Sequence, residues 1–209
     1  MRKAGGRPRN FDRRTALEQA LHQFWRHGYE ATSIASLTSA MGINPPSLYG
    51  AFGDKRQLFN EAVQEYGRTY GAFTTRALAE ETTACAAIGR LLREAAREYT
   101  DPSHPPGCMV ITAATNCTPT AEDVQRQLRD RREESKQAMR DKITADVDHG
   151  RLPVTVDAEG LATFYAATLQ GMSTQACDGA ARSDLERVAE LAMSAWPAPA
   201  PQPEPDARP

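Results

Sequence analysis

Glycines and helix caps divide the first 60 residues into short segments, and this punctuation constrains the fold more than any other feature. Gly28 ends a segment that begins after Asp12, and Gly42 ends the next one. Asn44 opens a third segment, which ends at Gly53. Gly is common just past a helix C-terminus because it tolerates the left-handed conformation, and Asp and Asn are common N-caps. The spacing therefore predicts three helices joined by tight turns.

The residue types favour a fold built from helices alone. The chain has 34 Ala and 14 Leu but only 7 Val and 5 Ile. Ala and Leu favour helices, whereas β-branched residues favour strands. Apolar residues also recur at three- and four-residue spacing, which is typical of amphipathic helices. We therefore predict an all-α protein, with further helices over about residues 54–66, 83–99, 108–116, 118–149, 157–172 and 183–195.

Charge is divided unevenly along the chain. The formal net charge is −2, yet residues 1–56 carry nine Lys or Arg and four Asp or Glu. Residues 57–209 carry sixteen basic and twenty-three acidic residues. A basic segment is typical of nucleic-acid binding, because it attracts phosphates. The charge therefore favours a nucleic-acid partner for the first quarter of the chain.

The second and third segments form a helix-turn-helix pattern. Two short helices are joined by residues 42–44, with apolar residues on the sides that would face each other. The second helix of such a unit needs small or polar residues at its N-terminus, where base edges would lie. Asn44, Pro45, Pro46, Ser47 and Gly50 meet this need. Because any tight helical corner shares the pattern, a purely structural corner stays an alternative at this point.

More specific motifs surround this pattern. They are residues 24–33 (FWRHGYEATS), 40–43 (AMGI), 47–55 (SLYGAFGDK) and 58–59 (LF). In these motifs the chain resembles the TetR family of bacterial transcriptional regulators, over about residues 12–60. The resemblance implies an all-helical homodimer, with an N-terminal three-helix helix-turn-helix DNA-binding domain and a C-terminal helical ligand-binding and dimerisation domain. It also implies a cytoplasmic repressor that binds a palindromic operator in double-stranded DNA and is released by an unknown small-molecule inducer.

The chain divides into four parts on this interpretation. The parts are a flexible basic arm (1–11), the helix-turn-helix DNA-binding domain (12–56), the ligand-binding and dimerisation domain (57–195) and a Pro-rich disordered tail (196–209). The arm is rich in Gly and basic residues and the tail is rich in Pro, so neither buries enough apolar surface to fold by itself.

Position by position, the resemblance implies a set of DNA contacts. Thr32 and Ser33 lie where the family contacts phosphates, at a helix N-terminus whose N–H groups and dipole favour an anion. Tyr49 and Lys55 match phosphate-contacting residues of the family. The small Gly50 implies few direct base contacts there, so specificity would depend more on the arm and on DNA shape. The predicted DNA-binding residues are Arg7, Arg9, Thr32, Ser33, Asn44, Pro45, Pro46, Ser47, Tyr49, Gly50 and Lys55.

Two kinds of signal are predicted for the C-terminal domain. A small molecule would bind among aromatic, Met and hydroxyl side chains; the candidates are Tyr99, Cys108, Met109, Thr112, Thr115, Asn116, Phe164, Tyr165, Leu169 and Met172. Alternatively, Cys108 begins a predicted helix whose N-terminus would stabilise a thiolate, which would suit an electrophile or redox sensor. Cys117 is a second candidate thiol, and a buried, unreactive cysteine is the alternative to both.

The last two helices are predicted to pair with their symmetry mates in a homodimer. The interface candidates are Leu161, Leu185, Val188 and Leu191.

Other classes of function have little support in the sequence. It holds no phosphate-binding loop, dinucleotide fingerprint or paired metal ligands, so we expect no enzyme, cofactor or metal site. A thiol-dependent enzyme acting through Cys108 is the weak alternative. No apolar run is long enough to span a membrane, and the N-terminus does not resemble a signal peptide.

Overall fold

The computed structural model describes residues 11–200. Within this range the protein consists of helices and loops without any β-strand, which confirms the all-α prediction. The helices are α1 (Arg13–Ala31), α2 (Ile34–Met41), α3 (Pro45–Phe52), α4 (Lys55–Arg68), α5 (Ala72–Glu80), α6 (Ala84–Glu98), α7 (Met109–Thr112), α8 (Glu122–Asp148), α9 (Ala158–Cys177) and α10 (Arg182–Ser194), with a 3-10 turn at Pro119–Ala121. Of the helices described, none is long and apolar enough to cross a membrane.

We call α1–α3 with their caps, residues 12–53, the head, and α4–α10 the body. The head is built from the predicted caps. Asp12 accepts a hydrogen bond from the backbone N–H of Arg14, and Asn44 accepts one from Ser47 at 2.9 Å. Gly42 ends α2 in the left-handed conformation, with φ of 65°. Local side-chain bonds thus satisfy the free N–H groups at these helix starts.

Gly28 interrupts α1 at the point where the sequence predicts the helix to end. Its φ is 75°, and a Cβ at this position would lie 3.1 Å from the carbonyl oxygen of Ala113. The next residue, Tyr29, donates its backbone N–H to that same oxygen at 2.7 Å. Only glycine combines this conformation with such a close approach. The bend therefore places the end of α1 against the C-terminus of α7 in the body.

Two features of the body differ from the prediction. Helix α5 is not predicted, because only Phe73 and Ala77 are buried along it and the apolar pattern is correspondingly weak. The helix predicted over residues 108–116 is reduced to the four residues of α7. Its shortness has a tertiary reason, since Ala113 at its end accepts the hydrogen bond from Tyr29 instead of continuing the helix.

One hydrophobic core runs from the head into the body. Phe24 of α1 packs edge-on against Phe59 of α4, with ring centroids 5.0 Å apart, and Trp25 packs edge-on against Tyr66 at 4.9 Å. Phe24 and Phe59 have no exposed surface. Because α1 and α4 share this core, the orientation of the head depends directly on the position of α4.

Helices α9 and α10 leave apolar side chains on the outside of the body. Phe164, Val188 and Leu191 are 44%, 38% and 65% exposed, and Leu161 is half-buried. Leu185 departs from the prediction of an interface residue. It is 1% exposed and packs within its own chain, so it has no surface to offer to a partner and we remove it from the predicted interface.

Residues 196–200 continue from α10 without regular structure. Trp196 lies against Tyr165, with ring centroids 5.6 Å apart, and the backbone N–H of Ala200 donates to the carbonyl of Arg151 at 3.2 Å. The remainder of the predicted tail and residues 1–10 of the predicted arm lie outside the described residues. The four-part division of the chain stays a prediction.

Candidate nucleic-acid interface

Helix α3 presents its N-terminal half to solvent. Asn44, Pro45, Pro46 and Gly50 are exposed and Ser47 is half-buried, whereas Leu48 and Phe52 on the opposite side are buried in the core. The tight turn after α2 and the proline in the first helical turn fix where this end of α3 lies. The predicted base-facing residues therefore form one continuous, uncovered surface.

Gly50 leaves an open space at the centre of this surface. A Cβ built on Gly50 meets no atom within 4 Å among the described residues. The flat patch lets another molecule approach the backbone of α3 closely, because no side chain stands in the way. This fits the prediction that few side chains at this point read bases directly.

Tyr49 and Ser33 flank the exposed end of α3. The Tyr49 side chain is 50% exposed, which is unusual for a large aromatic residue in so small a unit. Ser33 caps α2, where its hydroxyl accepts a hydrogen bond from the N–H of Ser36 at 3.0 Å. Both side chains reach solvent on the head surface, so both are available to contact a phosphate.

Thr32 requires a correction. Its side chain is 1% exposed, and its hydroxyl donates to the carbonyl of Gly28 at 2.6 Å. The hydroxyl therefore stabilises the C-terminus of α1 and has no access to a phosphate. The sequence does not indicate which of the two residues is buried, because Thr32 and Ser33 are neighbours with similar side chains. We retain Ser33 and not Thr32 as a side-chain contact.

Lys55 is held in place by the head. Its ammonium group lies 4.4 Å from the centre of the Tyr29 ring and donates to the carbonyl of Glu30 at 3.5 Å. Burial lowers the pKa of Lys55, an effect that the nearby carboxylate of Glu30 partly offsets. A cation–π contact of this kind orders the side chain. Lys55 thus has a fixed position at the start of α4, beside the head.

Polar contacts join the head and the start of α4 to the loop before α8. The carboxylate of Glu30 accepts hydrogen bonds from the hydroxyl and the N–H of Thr118, at 2.7 and 3.1 Å. These two bonds lower the pKa of Glu30. Arg56 pairs with Asp123 and donates to the carbonyl of Thr120. Arg56, which adds to the basic charge of the N-terminal segment, is therefore already engaged by the body.

Arg13 is also engaged within the protein. Its guanidinium pairs with Glu61 at 2.6 Å and lies 4.4 Å from the centre of the Phe52 ring. It thereby ties the first turn of α1 to α4 and α3. The remaining predicted contacts from the arm, Arg7 and Arg9, lie outside the described residues.

The body contains a cavity of about 840 Å³. It is bounded by α4, α5, the end of α6, α7, α8 and α9. Of the predicted ligand contacts, Tyr99, Cys108 and Leu169 line it. The others do not, and these are Met109, Thr112, Thr115, Asn116, Phe164, Tyr165 and Met172. They belong elsewhere for simple reasons: Thr115 and Asn116 are exposed loop residues, and Met109, Tyr165 and Met172 are buried core residues.

Several cavity residues are absent from the sequence prediction. Tyr66 and Phe73 supply aromatic walls, and Arg132 supplies a guanidinium group. Tyr66 lies on α4 and Arg132 on α8, more than sixty positions apart in the sequence. No local pattern connects them. The apolar stripe of α8 was the one available signal in the sequence, because Arg132 follows Val124 and Leu128 at four-residue spacing.

The pKa of the Cys108 thiol is not lowered as the sequence predicts. Cys108 accepts helix N–H groups from Val110 and Ile111, which favour the thiolate, but burial outweighs them and raises its pKa. Burial also raises the pKa of Cys117, helped by the carboxylates of Glu30 and Asp123. The expectation of an activated thiolate at Cys108 is therefore wrong for this structure. Among residues 11–200, no group of His, Cys, Asp and Glu side chains could hold a metal ion.

Comparison with known families gives two matches along the chain. The family model described as "Bacterial regulatory proteins, tetR family" matches residues 16–62. The one described as "Tetracyclin repressor-like, C-terminal domain" matches residues 86–191. The first match covers most of the head and the start of α4, and the second covers the body from α6 to α10.

Individual relatives support both matches. The chain is 32% identical over 198 residues to the HTH-type transcriptional repressor ComR of Escherichia coli (strain K12), with 94% of each chain covered. It is 43% identical to a cysteine-substituted form of the TetR family regulator CifR, solved with 26-bp operator DNA, at a TM-score of 0.87 and 91% and 100% coverage. A TetR regulator from Rhodococcus sp. RHA1 is 37% identical, with a TM-score of 0.60 and 89% and 99% coverage.

Proposed function

Because the chain belongs to the TetR family of bacterial regulatory proteins, we propose that it is a transcriptional repressor that binds operator DNA through its head. The observation that carries the proposal is the exposed N-terminal half of α3, whose residues 44–47 and Gly50 face solvent while its other side is anchored in the core. A short helix held in this way fits the major groove of DNA.

The surroundings of α3 supply the phosphate contacts. Ser33 at the start of α2 offers a hydroxyl and the N-terminus of a helix, which favours an anion. Tyr49 offers an exposed phenol and Lys55 an ordered cation. Phosphate contacts position a protein on DNA without reading its sequence. Specificity then comes from α3, from DNA shape, and from Arg7 and Arg9 of the proposed arm entering the minor groove.

The protein acts as a homodimer in this proposal. Phe164, Val188 and Leu191 supply an apolar surface on α9 and α10, and the solved relative CifR is bound to a double-stranded operator. A two-fold dimer presents two α3 helices to two half-sites, so the operator would be palindromic. A small molecule bound in the body would favour a spacing of the two heads that does not match the half-sites, and would thereby release the DNA.

The experiment that tests DNA binding places the same charge at two exposed positions. Gly50 on α3 lacks neighbours within 4 Å of an added Cβ, and Val154 in the body is 88% exposed and does not line the cavity. We expect Gly50→Glu to weaken binding to the DNA upstream of the protein's own gene at least about tenfold, because a like charge would face the phosphates. Val154→Glu, away from α3, should bind almost as the wild type does.

Fluorescence anisotropy with a labelled duplex measures both variants, and a salt titration of the wild type accompanies it. The affinity should fall steeply as salt rises, because phosphate contacts release counterions. Equal losses in the two variants would remove α3 from the interface. Failure of the wild type to prefer the upstream fragment over an unrelated duplex would contradict the operator assignment.

A further inference from the structure

Arg132 stands out among the residues that line the body cavity. It lies on α8, is half-buried, and donates one N–H to the carbonyl of Val110 on α7 at 2.7 Å. Within residues 11–200, no carboxylate lies within 4.0 Å of its guanidinium. The adjacent Glu133 is paired instead with Lys136, at 2.8 Å. Arg132 is thus a partly desolvated cation without an ion-paired carboxylate, and burial lowers its pKa, an effect that the more distant charge of Glu133 partly offsets.

The other charges in the cavity wall do not replace that missing partner. Arg68, Arg131 and Lys142 add positive charge, and the acidic members are Glu134 and Asp141, both exposed. Three of these side chains are already occupied, and one of them is Arg68, which pairs with Glu65 at 3.8 Å. The ammonium group of Lys142 donates to the carbonyl of Glu81, and Asp141 accepts a hydrogen bond from Gln137. Basic side chains therefore outnumber acidic ones in the wall, and an anion is the ligand that this balance favours.

The rest of the cavity is suited to an apolar body. Phe73, Met139 and Leu169 are 4%, 1% and 7% exposed, and all three line the cavity. The ring of Tyr66 adds an aromatic wall. A guanidinium with one N–H occupied still has donors arranged as a planar fork, which matches a carboxylate. Apolar walls around one such group are typical of small-molecule sites.

We propose that this cavity binds a small carboxylate with an apolar body, whose carboxylate pairs with Arg132. This inference rests on the proposed function, since it names the class of ligand that would regulate the repressor. Nothing in the comparisons assigns a ligand to these residues.

The same residue connects the cavity to the head. Arg132 binds the carbonyl of Val110 at one end of α7, and three residues later the carbonyl of Ala113 accepts the N–H of Tyr29 at 2.7 Å. A carboxylate bound by the free donors draws the guanidinium towards itself and weakens its hydrogen bond to Val110, because ion-paired hydrogen bonds are the stronger kind. Ligand binding would then shift α7 and, through Ala113, the end of α1. The short helix α7 is the element through which the ligand would act on DNA binding.

The first test is calorimetric and needs no DNA. Wild-type protein is titrated with 2-naphthoate and with 2-naphthamide, which has nearly the same shape but no charge. We expect the carboxylate to bind at least about tenfold more tightly, in line with a charged hydrogen bond. Arg132→Gln should abolish this preference, and it keeps an amide donor for Val110. Arg126→Gln, at an exposed residue of α8 that does not line the cavity, should retain the preference.

Equal affinity of the two compounds for the wild type would overturn the proposal. A preference that survives in Arg132→Gln would also overturn it, as would the absence of binding by either compound up to about 1 mM. Circular dichroism melting shows whether the variants are folded. The difference in affinity between the two compounds for the wild-type protein tests the proposal even if Arg132→Gln does not fold.

The second test separates this inference from the proposed function. Addition of 2-naphthoate to the wild-type DNA complex should lower DNA affinity at least about fivefold, a typical coupling between sites, whereas the Arg132→Gln complex should not respond. If the ligand-free protein binds its upstream DNA specifically but calorimetry shows no carboxylate preference, the ligand inference alone fails. If calorimetry shows the preference and no DNA fragment is bound, the proposed function fails.

Discussion

The head and the body are built from helices in different ways. Each short helix of the head begins at a cap two or three residues from its hydrogen-bond partner, as with Asn44 and Ser47. The cavity of the body gathers residues from α4 to α9, such as Tyr66 and Arg132, which are distant in the chain. The surface of the head depends on contacts between residues close in the chain, so a sequence motif predicts it. The cavity of the body depends on contacts between distant residues, which no local motif records.

The two regions are nevertheless mechanically connected. Tyr29 contacts Ala113, and Glu30 contacts Thr118, so the end of α1 meets the C-terminal end of α7 and the loop that follows it. The shared aromatic core of α1 and α4 adds an apolar connection. A displacement of α7 or α4 would therefore reach the head without crossing a flexible linker.

The largest predicted effect tests whether head and body share one core. Phe59→Ala removes a fully buried ring that contacts Phe24 and Tyr29, each at 5.0 Å between centroids. We expect the free energy of unfolding to fall by about 3–5 kcal/mol, as for other buried aromatic truncations. Urea denaturation followed by circular dichroism measures it. Tyr49→Ala, at a ring that is 50% exposed, is the control and should cost much less. Two separate unfolding transitions would show that head and body fold independently.

The next prediction concerns only the body. Leu191→Glu places a charge on the exposed apolar surface of α10, and we expect dimerisation to weaken by about 2 kcal/mol, the loss typical of a central interface residue. Analytical ultracentrifugation measures the dissociation constant. Val154→Glu is the matched control, since Val154 is 88% exposed but lies outside α9 and α10. A dimer equally weakened by both substitutions would place the interface elsewhere.

A smaller effect separates the two regions by function. Asn44 caps α3 in the head and Asp157 caps α9 in the body, each accepting a backbone N–H at 2.9 Å. Replacing either residue with Ala should lower the free energy of unfolding by about 1 kcal/mol. Only Asn44→Ala should also weaken DNA binding, because it destabilises the N-terminus of α3, the helix proposed to enter the major groove. If Asp157→Ala weakens DNA binding as much, the caps act through overall stability alone.

The smallest effect is a pH dependence at the contact between α1 and the loop after α6. His104 stacks on Trp25 at 4.7 Å. Burial lowers its pKa, but hydrogen bonds to the carboxylate of Glu98 and the carbonyl of Pro105 raise it by more, so the pKa lies above 6.5. A raised pKa stabilises the fold below the unfolded value of 6.5, and this contribution is lost as pH rises through the folded value.

His104→Gln should therefore lower the melting temperature more at about pH 5.5 than at about pH 8.5. Thermal melting at both pH values measures the difference, and His149→Gln, at an exposed residue ending α8, is the control. A larger loss at the higher pH would contradict the direction of the pKa shift.

The sequence predicted the head in some detail because the determinants lie close together in the chain. The bends and helix starts depend on local residues, namely Gly28, Gly42 and Asn44. The exposed face of α3 lies opposite the buried side chains of Leu48 and Phe52. Thr32 is the exception within the head, since burial decided its role and burial is a tertiary property.

The sequence also predicted α6, α8, α9 and α10 of the body, but only the tertiary structure decided which of their side chains meet. It shortened the helix at Cys108, turned the predicted thiolate into a buried thiol, and placed Leu185 inside the chain rather than on the interface. It also brought Arg132 beside α7. The physical reason is the same in each case. The burial and charge environment of these side chains depend on helices that are distant in sequence. A pattern of apolar residues predicts which side of a helix is buried. It does not predict which helix packs against that side.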